Sequence, residues 1–290
     1  MAGKTCLVTG ATAGIGQKIA LELALMGADV VIAGRNEAKC AAVADQIKKE
    51  SGNPAVEYLV ADLSSLDQVR RLAEEFKARR QRLDVLVNNA GAMYLRRQNS
   101  VDGIEMTFAL NHLSYFLLTD LLLDILKASP PARIVNVASS AHKEARLDLG
   151  HVHDPRRYLG FRAYSRSKLC NVLFTYELAR RLEGAGVTAN SLHPGLVATN
   201  FLNHNGPFGR FLNFFLRLRG ISIEAGALTP VYAASSPDME GVSGKYLEKQ
   251  QAVRSSKRSY DESLARGLWE LSASLTGIRS AAQESFSSSG

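Results

Sequence analysis

The sequence predicts an α/β fold: a single doubly wound parallel sheet of Rossmann type, covered by helices on both faces. Three observations carry that expectation. Short apolar runs of strand formers alternate with helical stretches from Lys4 to Ala138. The first run ends in a glycine-rich turn that opens directly into a helical pattern. Gly10, Arg35, Asp62, Asn88 and Ser139 fall at the ends of successive runs. Right-handed crossovers bring such ends to one edge of the sheet, where ligands of these sheets bind.

In order along the chain, Lys4 to Thr9 reads as the first strand, and an apolar helical pattern runs from Ile15 to Met26, stopping at Gly27. Asp29 to Ala33 is a strand. Asn36 to Glu50 is a helix that ends at the turn cluster Ser51-Gly52-Asn53-Pro54. Ala55 to Ala61 is a strand, Leu66 to Arg80 a charged helix, and Leu83 to Val87 a strand closing on Asn88-Asn89-Ala90-Gly91. A long helix from Asp102 to Lys127 precedes the strand Ala132 to Ala138. Arg162 to Glu183 repeats apolar residues at helical spacing, with no Pro or Gly before Gly184. Ile221 to Ala234 reads as another helix, Gly244 to Leu247 as the last strand, and Leu264 to Leu271 as a short helix around Trp269, the only tryptophan. Residues 1–275 form one domain, and the Ser-rich stretch 280–290 is expected to be a disordered tail.

Bulk properties exclude several classes. Hydrophobic residues make up 46% and charged residues 22% of the 290, enough for a substantial core. No apolar run approaches the roughly 20 residues of a membrane span, and no signal-peptide layout is present. Cys6, Cys40 and Cys170 are odd in number and scattered, which fits a reducing, cytoplasmic setting and no disulfide or zinc site. The net charge of +7 is spread along the chain without a nucleic-acid motif, so it favours a phosphorylated ligand or an anionic membrane surface. His151-Val152-His153-Asp154 stands in a Pro-containing loop without further ligands, so no metal site is expected.

Two stretches carry chemistry. Gly10-Ala11-Thr12-Ala13-Gly14-Ile15-Gly16 sits between strand and helix, where small residues let backbone N–H groups approach a pyrophosphate on the helix N-terminus. At the end of the second strand, an NAD site wants a carboxylate and an NADP site a cation. Gly34 stands where the acid would be and Arg35 follows it, which points to NADP(H). The second stretch is Tyr164-Ser165-Arg166-Ser167-Lys168. Four residues apart on a helix, Tyr164 and Lys168 share a face. A cation held near a phenol favours phenolate and draws its pKa down from about 10.

Thr9-Gly10-x-x-x-Gly14-x-Gly16, Asn88-Asn89-Ala90-Gly91, Asn111, Ser139, Tyr164-x-x-x-Lys168 and Pro194-Gly195 together resemble the short-chain dehydrogenase/reductase family, in its order and spacing, from Lys4 to Gln250. Gly34-Arg35, Asn111-His112-Leu113-Ser114-Tyr115-Phe116 and Pro194-Gly195-Leu196-Val197-Ala198-Thr199 resemble its retinol dehydrogenase-like branch, which prefers NADP(H). The resemblance implies an NADP-dependent oxidoreductase interconverting a carbonyl and an alcohol on a small or lipophilic substrate. Tyr164 would be the general acid/base, Lys168 its partner, Ser139 the group holding the substrate oxygen, and Asn111 the anchor of a water leading from Lys168 to solvent. Gly10, Thr12, Gly14, Ile15, Gly16, Arg35, Asn36, Asp62, Leu63, Asn88, Asn89, Ala90, Gly91, Tyr164, Lys168, Pro194, Gly195, Val197 and Thr199 would line the cofactor, with Lys168 on the nicotinamide ribose hydroxyls and Thr199 on the carboxamide. A reductase of a conjugated double bond, like the similar protochlorophyllide reductases, and a non-catalytic NADP sensor or scaffold are the alternatives.

Residues 201–220 hold five Phe, four Leu and three Arg with no acidic residue. By the resemblance, about 200–220 is a lid over the substrate; as a basic amphipathic piece it could also make peripheral membrane contact. The helices around Asn111 and Tyr164 form a homodimer face in similar proteins, so a homodimer is a further expectation.

Overall fold

A computed structural model of the chain describes residues 1–155, 157–195, 205–206 and 221–278. The elements are β1 (Thr5–Thr9), α1 (Gly14–Leu25), β2 (Asp29–Gly34), α2 (Glu37–Ser51), β3 (Val56–Val60), α3 (Leu66–Arg79) and β4 (Val85–Asn88). There follow α4 (Met106–Phe108), α5 (Ser114–Leu121), α6 (Leu123–Lys127), β5 (Ala132–Val137), α7 (Gly160–Arg181) and β6 (Val187–His193). The described chain closes with α8 (Ile223–Ser235), β7 (Tyr246–Glu248), β8 (Gln251–Val253) and α9 (Glu262–Thr276).

The sheet order is β3-β2-β1-β4-β5-β6-β7-β8, with every pairing parallel except the last. The order reverses between β1 and β4, and that switch point opens a crevice at the carboxyl ends of the strands. Strands buried on both faces read as continuous apolar runs. In β1, Leu7 packs in the layer with α3, α5 and α7, while Cys6 and Val8 pack with α1, α2 and α8. Helix starts follow capping chemistry: Asn36, Ser65 and Asp261 accept the N–H groups of Lys39, Gln68 and Leu264.

At the opposite edge of the sheet, the buried Asp84 carboxylate receives the Thr5 N–H at 2.9 Å, Lys4 Nζ at 2.9 Å and Arg82 Nε at 2.8 Å. Burial pushes this carboxyl up, but bonds from Arg82, Lys4 and Thr5 outweigh it and hold Asp84 below the usual carboxylate range.

Four sequence expectations need correction. The helix expected from Asp102 begins at Met106, where the buried Glu105 carboxylate caps the Thr107 and Phe108 N–H groups. It is also interrupted by a π-helical turn over Ala109–Leu113. The strand β6 was not anticipated, because Val187–His193 carries Thr188, Asn190 and Ser191 among its apolar residues. Residues 244–247 are not the end of the sheet, since β8 folds back on β7.

The face of α7 and α5 expected to meet a second copy is covered, in part, by this chain's own α9. Leu169 and Leu173 pack with Ala265 and Leu268, and the Trp269 ring lies 5.0 Å from Phe116 and 5.8 Å from Phe174. Among the described residues, no helix is long and apolar enough to cross a membrane, and no group of three His, Cys, Asp or Glu could hold a metal.

Candidate active site

At the switch point, the glycine-rich turn lies against the end of β4. Thr9 Oγ1 accepts the N–H groups of Asn89 (2.9 Å) and Ala90 (3.1 Å), and Asn89 Nδ2 donates back to the Thr9 carbonyl at 2.9 Å. These bonds hold the two loops edge to edge. A Cβ on Gly16 would stand 2.4 Å from Asn89 Nδ2 and 2.5 Å from the Gly10 carbonyl, so only glycine fits there. Helix α1 starts at Gly14 behind Ala13, so no side chain caps its first N–H groups. A helix start of this kind suits a phosphate. Ile15 and Leu63 are buried beneath the loops, and Ala90 and Gly91 continue the floor.

The end of β2 carries Gly34 and Arg35, the pair expected to choose the cofactor. A Cβ on Gly34 would meet Thr12 Cγ2 at 2.5 Å and Cys40 Sγ at 3.0 Å. The methyl of Thr12 thus fills the volume that an acidic side chain at 34 would need. Arg35 is exposed beside it, and its charge reaches Tyr94: burial pushes that phenol up, and the guanidinium works against the push. Asn36 is occupied as the cap of α2. The Asp62 carboxylate accepts the Ser64 N–H and hydroxyl at 3.0 and 2.7 Å, which shapes the turn after β3. Asn88 departs from expectation. It is fully buried and donates to Thr119 and Asn136, so it braces the core rather than facing the crevice.

The candidate reacting groups come from three places: α7, the turn after β5 and the π-helical turn. Lys168, 4% exposed, donates from Nζ to the Val137 carbonyl at the end of β5, at 2.9 Å. The same ammonium lies 5.8 Å from the centroid of the Tyr164 ring and 5.7 Å from that of Tyr115. Burial pushes Lys168 down to about 7. Tyr164 is raised by burial, and the influence working against this is a hydrogen bond with the Ser139 side chain. Ser139 Oγ also accepts the Ala141 N–H at 3.2 Å, capping the short 3-10 turn Ser140–Glu144.

Asn111 sits in the middle of the π-helical turn, the kind of one-residue bulge that recurs at functional positions. Its Oδ1 accepts the Ala92 N–H at 2.9 Å, and its Nδ2 donates to the Ala92 carbonyl at 2.9 Å and to Ser167 Oγ at 3.0 Å. A Cβ on Gly91 would lie 3.2 Å from Asn111 Oδ1 and 3.4 Å from Lys168 Nζ, so the bare backbone of Gly91 separates the two side chains. The next residue, His112, directs Nε2 at Ser272 Oγ in α9 at 2.9 Å, and burial pushes its ring down to about 3.

Pro194 and Gly195 follow β6 at the same edge. Val197, Thr199 and nearly all of the expected lid lie outside the described residues, as does the tail 280–290. From 201–220 only Asn205 and Gly206 are described. Asn205 donates to the Met93 carbonyl at 2.8 Å and accepts the Leu95 N–H at 2.7 Å, fixing this point of the chain to the loop after Gly91. Sequence reasoning missed Thr9 as a bond acceptor, Tyr115 beneath Lys168, Ser167 on Asn111, and His142. Only spacing could have signalled them, since each lies within four residues of, or inside, a stretch already singled out.

Comparison with known proteins agrees with this geometry. The family described as short chain dehydrogenase matches residues 4–207. Human retinol dehydrogenase 13 is 42% identical over 284 residues, covering 95% of this chain and 85% of the relative. Human polyprenol dehydrogenase is 40% identical over 282 residues, covering 95% and 86%. A solved Pseudomonas aeruginosa RhlG/NADP active-site complex is 29% identical, covers 85% of this chain and 94% of that one, and superposes with a TM-score of 0.68.

Proposed function

Because this chain belongs to the short chain dehydrogenase family and is an oxidoreductase, we propose that it interconverts a carbonyl and an alcohol on a lipophilic substrate, using NADP(H). The observation that carries this reading is Tyr164 beside the buried Lys168, whose Nζ lies 5.8 Å from the phenol ring, at the crevice of a doubly wound sheet.

The glycine turn, the α1 start and the loop Asn89–Gly91 would hold the dinucleotide, and Arg35 would meet the 2′-phosphate. The bound nicotinamide supplies or takes the hydride. Tyr164 Oη delivers a proton to the substrate oxygen in reduction and removes one in oxidation. Ser139 Oγ donates to that same oxygen as charge builds on it. Burial holds Lys168 below the usual lysine range, so it would release a proton more readily than an exposed amine. Both amide hydrogens of Asn111 are engaged, so a water beside it would have to be held by acceptor oxygens.

NADPH oxidation measured against aldehydes, ketones and retinal tests the reading. Tyr164→Phe is expected to cut kcat by roughly 100- to 10,000-fold, and wild-type turnover in that variant would overturn the assignment. Lipophilic substrate choice is supported by the retinol and polyprenol relatives and by the Phe- and Leu-rich stretch 201–220. The same stretch supports peripheral contact with an anionic membrane. Flotation with anionic liposomes tests this, and no association with or without NADPH would remove it.

A further inference from the structure

His142 is fully buried in the 3-10 turn that follows Ser139, and its two ring nitrogens face backbone groups far apart in sequence. Nδ1 lies 2.7 Å from the Ser139 carbonyl oxygen, and Nε2 lies 3.0 Å from the Ser256 nitrogen. A backbone N–H can only donate, so Nε2 must carry a lone pair and the proton must sit on Nδ1. The ring therefore donates to Ser139 and accepts from Ser256. It packs on Tyr246 with centroids 4.8 Å apart. Ser256 is itself tied down: Arg258 donates to the Ala145 carbonyl at 2.7 Å, and Ser255 shares a 2.7 Å bond with Tyr176. Lys143, Glu248 and His193 are the titratable neighbours, with the two charged groups acting in opposite directions, and burial keeps the imidazole below its usual range.

We propose that His142 is a positioning residue for Ser139, fixing the backbone of the residue whose hydroxyl meets Tyr164. The inference rests on the catalytic reading of Ser139 and Tyr164 given above. The imidazole clamps the Ser139 carbonyl from the far side, while the Ser139 hydroxyl caps the turn that contains the imidazole. The clamp and the cap close one small loop, so Ser139 Oγ has little freedom to leave Tyr164. A misplacement of about 1 Å at a reacting group can cost on the order of 100-fold in rate.

A double-mutant cycle tests this, with NADPH oxidation by a carbonyl that the screen above turns over. His142→Phe keeps the ring packing and removes both bonds; it is expected to lower kcat roughly 10- to 100-fold with NADPH affinity unchanged. In a Ser139→Ala background the same substitution is expected to have almost no further effect. The pH profile of His142→Phe is expected to shift upward, as for Ser139→Ala, because Tyr164 loses the bond that lowers it. His142→Asn, which can still donate to the Ser139 carbonyl, is expected to recover part of the rate. Wild-type kcat in His142→Phe, or an equal loss in both backgrounds, would overturn the inference. If Tyr164→Phe retains turnover, it is the catalytic reading that fails instead. As a measurement independent of folding and turnover, imidazole nitrogen shifts of the wild-type protein at pH 7 are expected to show a protonated Nδ1 and a bare Nε2. The opposite tautomer or an imidazolium would also overturn the inference.

Discussion

Lys168 spends its hydrogen bond on the Val137 carbonyl at 2.9 Å, although its ammonium lies only 5.8 Å from the Tyr164 ring centroid. The amine is anchored to the strand end, and the phenol is anchored to Ser139. The two groups act as neighbours held by separate supports, each displaced from its ordinary titration by burial.

That displacement has a stability consequence. The pKa of Lys168 falls from 10.5 to about 7 on folding, so the unfolded chain binds more protons between those values. Stability is therefore withheld at neutral pH and recovered as pH rises from 7 toward 10.5. Lys168→Met is expected to abolish turnover while raising neutral-pH stability by on the order of 4 kcal/mol. Urea unfolding at pH 7 and pH 9.5 checks the sign, because the gap between variant and wild type should narrow at the higher pH.

Cofactor choice should turn on a pair of positions rather than one. Arg35→Glu is expected to reduce kcat/KM for NADPH by roughly 10- to 100-fold, the loss of one charge-assisted contact and its replacement by repulsion. Gly34→Asp alone is expected to impair both cofactors, because its Cβ would meet Thr12 Cγ2 at 2.5 Å. Thr12→Gly combined with Gly34→Asp is expected to bring in NADH. Steady-state kinetics with both coenzymes measures all three outcomes.

Asp84 offers a control far from the crevice. Its folded pKa lies below the usual carboxylate range, so its contribution is present at neutral pH and lost as pH falls through that lowered value. Asp84→Ala is expected to cost about 1 to 3 kcal/mol near pH 7, chiefly for the Thr5 N–H left without its acceptor, with kcat unchanged in the folded fraction. Denaturation at pH 7 and pH 3 should show the difference shrinking in acid.

The α9 helix predicts the state of association. With Trp269 seated between Phe116 and Phe174 and Arg181 stacked 4.1 Å over its ring, the face offered by α7 is already partly filled. Light scattering of the full chain is expected to give a mass near 31.5 kDa. A dimer mass unaffected by Trp269→Ala would refute this.

Much of the sheet and crevice was legible because apolar runs, glycines and strand-end polar residues report local geometry. Gly16 and Gly34 announce close backbone approaches by being glycine. What stayed hidden depends on partners distant in sequence. Asn88 looked like a crevice residue because it ends β4, yet its amide reaches Asn136 across the sheet. The π-helical turn at Asn111 has no composition of its own, since Ala109–Leu113 fits an ordinary helix equally well. The polar residues of β6 masked a strand that is paired with β5 on one side and β7 on the other. His142 was silent because its meaning comes from Ser256, 114 residues later.

The same long-range bonds set an order of events during synthesis. Ser256 emerges 114 residues after His142, and Ser272 emerges 160 after His112. At a ribosomal pace of about 5 to 20 residues per second, the Ser139 and Asn111 regions wait roughly 6 to 30 s before their braces appear. The segments around Ser139 and Asn111 therefore stay unbraced until the last described helix has been made.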